Sequence, residues 1–242
     1  MLYKYREVND WLQQILAENT LHFGSPLKFN DPFDGQLQFQ TNNTLPELTR
    51  FLSANKPPEI APNRSAVRRR AKEFVKKPHV MTAMLREGIR REMDGTGVCC
   101  FSQCWDSILQ WAYYSQGHQG VVLGFDVTSD PLFFIAPIKV EYVVEYPTLN
   151  FLKNREACIK ALITNKAKVW EHEAELRVYK KPKGNYAFSK EALTEVTFGV
   201  NCSYESERRV RLWCEQGGLH SVRFFKATRA KYDFALERNE LR

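Results

Sequence analysis

The chain has 242 residues, of which 43% are hydrophobic and 13% aromatic, so it can bury a sizeable core and is not a disordered polypeptide. No apolar run approaches the roughly 20 residues that a membrane-spanning helix needs, and the first residues lack the apolar core of a secretory signal. We therefore expect a cytoplasmic protein with no membrane association. The net charge of +7 favours a partner that carries phosphates, such as RNA or DNA.

Hydrophobic periodicity and turn-forming residues predict the order of elements along the chain. We expect a strand at 2–6, a helix capped at Asn9 or Asp10, a strand at 21–23, a turn-rich loop at 29–35, helices over 45–93 interrupted by a loop at 56–63, a strand at 97–102, a helix at 106–114, strands at 120–126 and 138–144, a helix at 150–169, strands at 173–179 and 195–200, a helix at 205–216, and strands at 221–227 and 232–236.

This order predicts an α+β fold, because helices and strands are segregated and no regular βαβ alternation occurs. We expect one domain over residues 1–242, with a central mixed or antiparallel sheet, flanking helices and an appended helical lobe at 45–93. In the helix at 106–114, the apolar side chains should face the core; these are Ile108, Leu109, Trp111 and Ala112.

The six cysteines are expected to be reduced and mostly buried. Their spacing does not match the paired ligands of a zinc site, and Cys99 and Cys100 lie in a strand-like run. A nucleophilic Cys104 acting with His118 remains an open alternative.

Two basic segments predict contact with nucleic acid. The first is a helix with Arg68, Arg69, Arg70, Lys76 and Lys77, and the second is a helix with Arg208, Arg209 and Arg211. The alternative is that both are ordinary solvated helix faces, since no aromatic residues alternate with the arginines to stack on bases.

The most informative local pattern is the run from Glu173 to Tyr179. If it is extended from Glu173 onward, Glu173, Glu175 and Arg177 share one face. Two like charges so close together suit a site that holds a hydroxyl or stabilises a developing positive charge. On this interpretation the two glutamates repel each other, so Glu175→Gln should hardly change folding. The alternative is a solvated edge strand on which Arg177 pairs with its neighbours.

A second group of polar and aromatic residues precedes a buried strand. Trp111 and Tyr114 end a helix, and His118 follows in a turn between Gly117 and Gly120. Together they could form the mouth of a ligand site, in which Tyr114 stacks on a planar group and His118 acts as an acid, a base or a phosphate contact. The alternatives are core packing for the tyrosine and a structural turn for the histidine.

In their order along the chain these pieces resemble a bacterial family known chiefly as domain of unknown function 2971. The matching residues are Leu2-Tyr3-Lys4-Tyr5-Arg6, the loop at 29–34, Cys100-Phe101-Ser102, Trp111 with Tyr114, His118 and Gly120, and Trp170 with Glu173, Glu175 and Arg177. The chain departs from the family pattern at Gln110, where an apolar residue such as methionine is usual.

The order of elements is also similar to the ADP-ribosyltransferase-like fold of bacterial toxins. That resemblance implies an NAD-dependent transferase, acting as a toxin or phage-defence effector that modifies RNA or DNA and has an antitoxin or defence-system partner. It implies catalytic roles for Glu175, Glu173 and Tyr114, with no metal required. It implies cofactor contacts from Tyr5, Arg6, Asn30, Asp31, Ser102, Trp111, His118 and Arg177. Arg6 and Arg177 would hold the pyrophosphate, and Tyr5, Tyr114 and Glu175 would surround one cleft.

Two other classes of function stay open. One is a non-catalytic module that binds nucleic acid or protein, in which the glutamates form an ordinary ion-pair cluster. The other is a metal-dependent hydrolase or nuclease built from Asp31, Asp34, Glu173, Glu175 and His118.

Overall fold

The structure is a computed structural model that describes residues 1–55 and 63–241. The chain divides into two compact units. The first, here called the sheet unit, comprises Met1–Ser25, Thr96–Val140 and Val169–Arg242; the second, here called the helical unit, comprises Pro26–Gly95 and Glu141–Lys168. The predicted lobe at 45–93 falls within the helical unit, while the expectation of a single domain over 1–242 stays a prediction. Of the predicted loop at 56–63, only Asn63 lies among the described residues.

The bounds of the elements are as follows. The strands are β1 (Leu2–Arg6), β2 (Thr20–Phe23), β3 (Gln38–Phe39), β4 (Gly97–Ser102), β5 (Val121–Phe125), β6 (Ile138–Lys139), β7 (Glu141–Val143), β8 (Thr148–Leu149), β9 (Asn165–Ala167), β10 (Glu175–Lys180), β11 (Gly184–Ala187), β12 (Leu193–Phe198), β13 (Arg223–Arg229) and β14 (Leu236–Leu241). The helices are α1 (Asp10–Glu18), α2 (Leu45–Ala54), α3 (Arg64–Lys76), α4 (Pro78–Asp94), α5 (Ile108–Tyr114), α6 (Arg155–Thr164) and α7 (Tyr204–Gln216).

The sheet unit is built on one large mixed sheet, which confirms the predicted α+β class. Its strand order is β14-β13-β12-β5-β1-β4-β10-β6. Every neighbouring pair is antiparallel except β12 and β13, which are parallel. The strands β1, β4 and β10 are therefore interior strands, and their side chains lie on faces that other elements can cover.

Each face of this sheet packs against different helices. On one face, α1 and α7 contribute to the main core, with Leu12, Leu16 and Trp213 among its buried residues. On the other face, Trp111 of α5 packs with Tyr5 and Val122. The helix α1 begins after Asn9, whose side chain accepts the backbone N–H groups of two residues in the first turn, as expected for an N-cap.

The helical unit has a separate apolar core formed largely by α2, α3, α4 and α6. The helix α2 begins with a capping box, in which Thr44 and Glu47 each accept the other's backbone N–H. Within the described residues, no helix has the length and apolar character needed to cross a membrane.

Three predicted elements outside the candidate site differ clearly from the structure. The helix expected at 150–169 is limited to α6, because Asn154 caps its start and the chain becomes extended at Asn165. The strand expected at 138–144 is broken at Val140 into β6, which joins the large sheet, and β7, which pairs with β9. The strand expected at 232–236 instead begins at Leu236.

Glycine at position 120 should be indispensable for packing, whereas glycine at position 88 should not. A Cβ at Gly120 would lie 2.1 Å from the carbonyl oxygen of Arg6, while a Cβ at Gly88, inside α4, would meet nothing within 4 Å. We expect Gly120→Ala to destabilise the protein by about 1–3 kcal/mol. We expect Gly88→Ala to stabilise it by about 0.5–1 kcal/mol through helix propensity. Thermal unfolding followed by circular dichroism measures both, and a harmless Gly120→Ala would contradict the packing.

Candidate functional site

The end of α5 meets the start of β10 through a short hydrogen bond. Tyr114 Oη donates to Glu173 Oε1 at 2.6 Å. Glu173 is the last residue of a 3₁₀ turn, Lys168–Glu173, and only 5% of it is exposed. The structure thus brings together the tyrosine and one of the two glutamates on which the predicted site depends.

The backbone at Glu173 is held by two buried polar side chains. Ser102 Oγ donates to the carbonyl oxygen of Glu173 at 2.7 Å, and Gln110 Nε2 donates to the same oxygen at 3.2 Å. Gln110 Nε2 also donates to Ser102 Oγ at 3.0 Å. Since buried polar groups need partners, these bonds fix the position of Glu173 relative to α5. They give Gln110 a physical role at the position where the family resemblance predicts an apolar residue.

The burial pattern of α5 agrees with the expectation at Trp111 but differs from it at the other apolar residues. Gln110 and Trp111 are its buried residues, whereas Ile108, Leu109 and Ala112 are exposed. The prediction that these three apolar side chains face the core is therefore wrong. The buried bonds of Gln110 to Ser102 and Glu173 account for the orientation of the helix.

The prediction of an extended run from Glu173 is also wrong. Ala174 has a φ of 44°, in the left-handed region, and the strand begins only at Glu175. Gln103 N–H donates to the carbonyl oxygen of Ala174 at 3.0 Å, which anchors the kink to the residue after β4. Glu173 is consequently outside the alternation of β10 and does not stand in line with Glu175 and Arg177.

Glu175 and Arg177 form a buried ion pair on β10. Arg177 Nε donates to Glu175 Oε1 at 2.7 Å, and Arg177 Nη2 donates to Glu175 Oε2 at 3.3 Å. Both side chains are at most 5% exposed, and β10 lies between β4 and β6. The alternative of a solvated edge strand is therefore wrong, although Arg177 does pair with its neighbour as that alternative supposed.

Groups beside this ion pair are strongly affected by burial. The pKa of the Cys100 thiol is raised well above its usual value, first by burial and then by the negative charge of Glu175. Burial likewise raises the pKa of Tyr179, and the charge of Arg177 partly offsets this rise. Neither group supplies a thiolate or phenolate at neutral pH.

Strand register places the predicted residues of β1, β4 and β10 relative to one another. Tyr3 lies opposite Ser102, and Ser102 lies opposite Glu175, so these three side chains share a face. Tyr5, two residues after Tyr3, lies on this face too, and Tyr114 packs against the same cluster. Tyr5, Tyr114 and Glu175 are therefore grouped on one face of the sheet, and the cleft expected between them stays a prediction.

Tyr5 and Trp111 lie in the packed interior of this face. The hydroxyl of Tyr5 donates to the carbonyl oxygen of Cys104 at 2.9 Å and accepts Ser107 N–H at 3.2 Å. Trp111 has no exposed surface. Its ring contacts Tyr5 edge to face, with centroids 5.5 Å apart. A direct contact of either residue with a bound cofactor is not supported, because packing and backbone bonds already engage them.

Arg6 lies on the opposite face of the sheet from Arg177. Side chains alternate along β1, and Arg6 is opposite Val121, which belongs to the main core on the other face. Burial lowers the pKa of Arg6, and its Nε is a buried atom with no hydrogen-bond partner among the described residues. The predicted joint contact of these two arginines with one pyrophosphate is therefore not supported.

His118 has the features of a structural turn residue. Its φ is 64°, and its ring stacks on Trp111 with 6.0 Å between centroids. Its carbonyl oxygen accepts Asn201 N–H at 2.9 Å, and burial lowers the pKa of its imidazole. These contacts favour the alternative in which His118 shapes the turn before β5.

The remaining predicted ligands do not form a metal site. Asn30, Asp31 and Asp34 belong to the helical unit. Asp31 Oδ1 there accepts Phe33 N–H at 2.8 Å as part of a turn. Across residues 1–55 and 63–241, no group of three or more His, Cys, Asp or Glu side chains could hold a metal ion. The hydrolase or nuclease alternative therefore has no geometric support.

All six cysteines are free thiols. Burial and the charge of Asp106 both raise the pKa of Cys104, which disfavours the thiolate that a nucleophile needs. Burial raises the pKa of Cys202 to about 11 and that of Cys214 to about 12.

The predicted nucleic-acid residues fall into three groups. Arg68, Arg69, Lys76 and Lys77 are exposed on or just after α3. Arg70 instead pairs with Glu73 at 2.7 Å and lies over the ring of Phe74. On α7 the arginines 208, 209 and 211 are balanced by glutamates 205, 207 and 215, so that helix is not basic overall.

Tyr113 is a residue of the site that the sequence reasoning did not select. Its side chain is 59% exposed, and its ring contacts Trp170 edge to face with 6.1 Å between centroids. It directly precedes Tyr114, so it offers an accessible aromatic surface beside the bond to Glu173. Its place in the Trp-x-x-Tyr segment was the signal that could have identified it.

Comparison of the chain with protein-family models, with curated proteins and with solved structures finds no match.

Removing the charge of Glu175 should lower the stability of the sheet unit. This differs from the expectation that Glu175→Gln hardly changes folding, which assumed repulsion between the two glutamates. Glu175→Gln leaves the buried guanidinium of Arg177 without this carboxylate, which we expect to cost roughly 3–5 kcal/mol. Glu173→Gln keeps a carbonyl oxygen for Tyr114 and should cost about 1 kcal/mol. Urea unfolding measures both, and equal stability of Glu175→Gln and wild type would contradict the buried pair.

Alkaline pH should destabilise the sheet unit through Cys214. Burial raises the pKa of this thiol in the folded state to about 12, above the ordinary thiol value of 9.0. Its contribution is fully present below the unfolded pKa and is lost as pH rises from about 9 to about 12. We expect wild type to lose more stability than Cys214→Ala across this window, measured by urea unfolding. The same loss in both proteins would show that another group is responsible.

Proposed function

We propose that the sheet unit is an NAD-dependent ADP-ribosyltransferase-like enzyme, a bacterial toxin or phage-defence effector whose acceptor is RNA or DNA. The observation that carries this proposal is the 2.6 Å hydrogen bond from Tyr114 to the nearly buried carboxylate of Glu173. It stands beside the Glu175–Arg177 pair at the start of β10. A positioned carboxylate of this kind is what cleavage of a glycosidic bond requires.

Glu173 is the better candidate than Glu175 for the carboxylate that meets the substrate. Both oxygens of Glu175 accept hydrogen bonds from Arg177. Glu173 Oε1 accepts a hydrogen bond from the neutral phenol of Tyr114, and the backbone of Glu173 is fixed by Ser102 and Gln110. In this proposal Glu173 faces the reaction, and Glu175 neutralises Arg177.

The chemistry follows from these positions. The bond between nicotinamide and the ribose C1′ breaks, and the leaving nicotinamide takes the bonding electron pair and becomes neutral. An acceptor hydroxyl or amine forms a new bond to C1′, and its proton passes to Glu173. Before that transfer the charge of Glu173 stabilises the positive charge that develops at C1′. The exposed ring of Tyr113 offers a stacking surface for a planar base.

A binding module without catalysis is the second candidate. The specific observation in its favour is the buried ion pair of Glu175 and Arg177, since buried ion pairs can be purely structural. If this candidate is correct, the wild-type protein releases no nicotinamide, and replacing Glu173 has no effect on nicotinamide release.

Removing the charge of Glu173 should abolish most of the activity while the protein stays folded. Purified protein is incubated with labelled NAD and total nucleic acid, and label transfer and nicotinamide release are followed. We expect Glu173→Gln to lower the rate about 10²–10³-fold, the loss typical for one preorganised electrostatic group. We expect Tyr114→Phe to lower it about tenfold, because only the orientation of the carboxylate suffers.

The matched control is Glu215→Gln, which removes the same charge from an exposed position of α7. This control should retain wild-type rates. Wild-type protein that neither binds NAD nor releases nicotinamide would overturn the transferase proposal and favour the binding module. Release of nicotinamide without label transfer to nucleic acid would overturn only the proposed acceptor.

A further inference from the structure

The outward face of α3 carries a continuous line of positive charge. Arg64, Arg68, Lys72 and Lys76 recur at every fourth position, and all four are exposed. Residues four apart lie on the same side of a helix. At 1.5 Å per residue the line extends over about 18 Å, which matches about five base-pair steps of a nucleic-acid duplex.

These charges have no compensation within the described part of the chain. None of the four side chains forms an ion pair or hydrogen bond with a described residue. The one acidic residue of the helix, Glu73, is engaged by Arg70. Like charges four residues apart destabilise a helix. A polyanionic ligand would relieve this repulsion.

The opposite face of α3 fixes the helix to the helical unit. Val67, Ala71 and Phe74 are buried there, and α3 packs mainly against α2. Because the apolar face is already covered, α3 cannot insert it into a lipid surface as amphipathic membrane helices do. The exposed basic face therefore acts through its charges.

We propose that this face, defined by Arg64, Arg68, Lys72 and Lys76, binds the phosphate backbone of double-stranded nucleic acid without sequence preference. The exposed side of α3 carries no aromatic residue, since Phe74 is buried. Stacking on unpaired bases is thus unavailable, which disfavours single strands. Duplex binding by α3 does not depend on the proposed function. Only the further step, that the bound duplex is the acceptor of ADP-ribose, rests on it.

Binding is measured by fluorescence anisotropy in the absence of NAD, with two duplexes of unrelated sequence and one single strand of the same length. Neutralising about four phosphates should give a slope near −3.6 in a plot of log affinity against log salt concentration. We expect the two duplexes to bind equally and the single strand to bind more weakly. A salt-independent affinity, a preference for the single strand, or binding only to anionic lipid vesicles would overturn the proposal.

Two double variants with the same change in net charge distinguish the effect of the α3 face on duplex affinity from the effect of net charge. Arg68→Glu with Lys72→Glu should lower duplex affinity at least tenfold. Arg229→Glu with Lys231→Glu, at exposed positions of the sheet unit, should lower it less than twofold. Equal losses would show a nonspecific effect of net charge and overturn the assignment to α3.

Circular dichroism verifies that both variants are folded, and Arg68→Gln with Lys72→Gln serves as a milder replacement if the reversed charges unfold α3. This assay contains no NAD, so it tests only duplex binding. If the duplex does not bind, the transferase proposal is still tested separately by nicotinamide release. Loss of nicotinamide release in a variant at Glu173, with duplex binding retained, would conversely separate the two proposals.

Discussion

The carboxylate of Glu175 and the guanidinium of Arg177 lie two residues apart on an interior strand, and both are almost fully buried. Removing two charges from water costs several kcal/mol each, and this is offset only when the geometry is good. The two hydrogen bonds between them supply that geometry. As a result Glu175 is tied to its own strand, and a second carboxylate must serve any chemistry at this face.

The position of that second carboxylate depends on a local backbone feature. The left-handed Ala174 separates Glu173 from the strand, and the bonds from Ser102 and Gln110 hold the turn in place. A strictly extended chain would have placed Glu173 and Glu175 on one face, where their charges repel. With the kink in place, Glu173 accepts a hydrogen bond from Tyr114, and Glu175 accepts two from Arg177.

Periodicity predicted the elements whose faces are set by hydrophobic burial. The strand β4 and the buried stripe of α1 follow directly from alternating or helically spaced apolar residues. Periodicity was correct for Trp111 of α5 but failed for Ile108 and Leu109, in whose place Gln110 is buried and bonded to Ser102. It also failed at Ala174, since a positive φ at a non-glycine residue leaves no mark in the hydrophobic pattern.

The same limit explains which site residues could be anticipated. Residue types and their spacing identified Glu173, Glu175 and Arg177 as a group, whereas Tyr114 joined them only through the resemblance to the ADP-ribosyltransferase-like fold. They could not assign the partners, since the pairing depends on distances that only the folded backbone sets. The alternation of side chains along β1 determines the face on which Arg6 lies. Arg6 is three positions after Tyr3 in the same strand, so its side chain projects to the other face. An arginine that is correct in type can thus be separated from its expected partner by the thickness of the sheet.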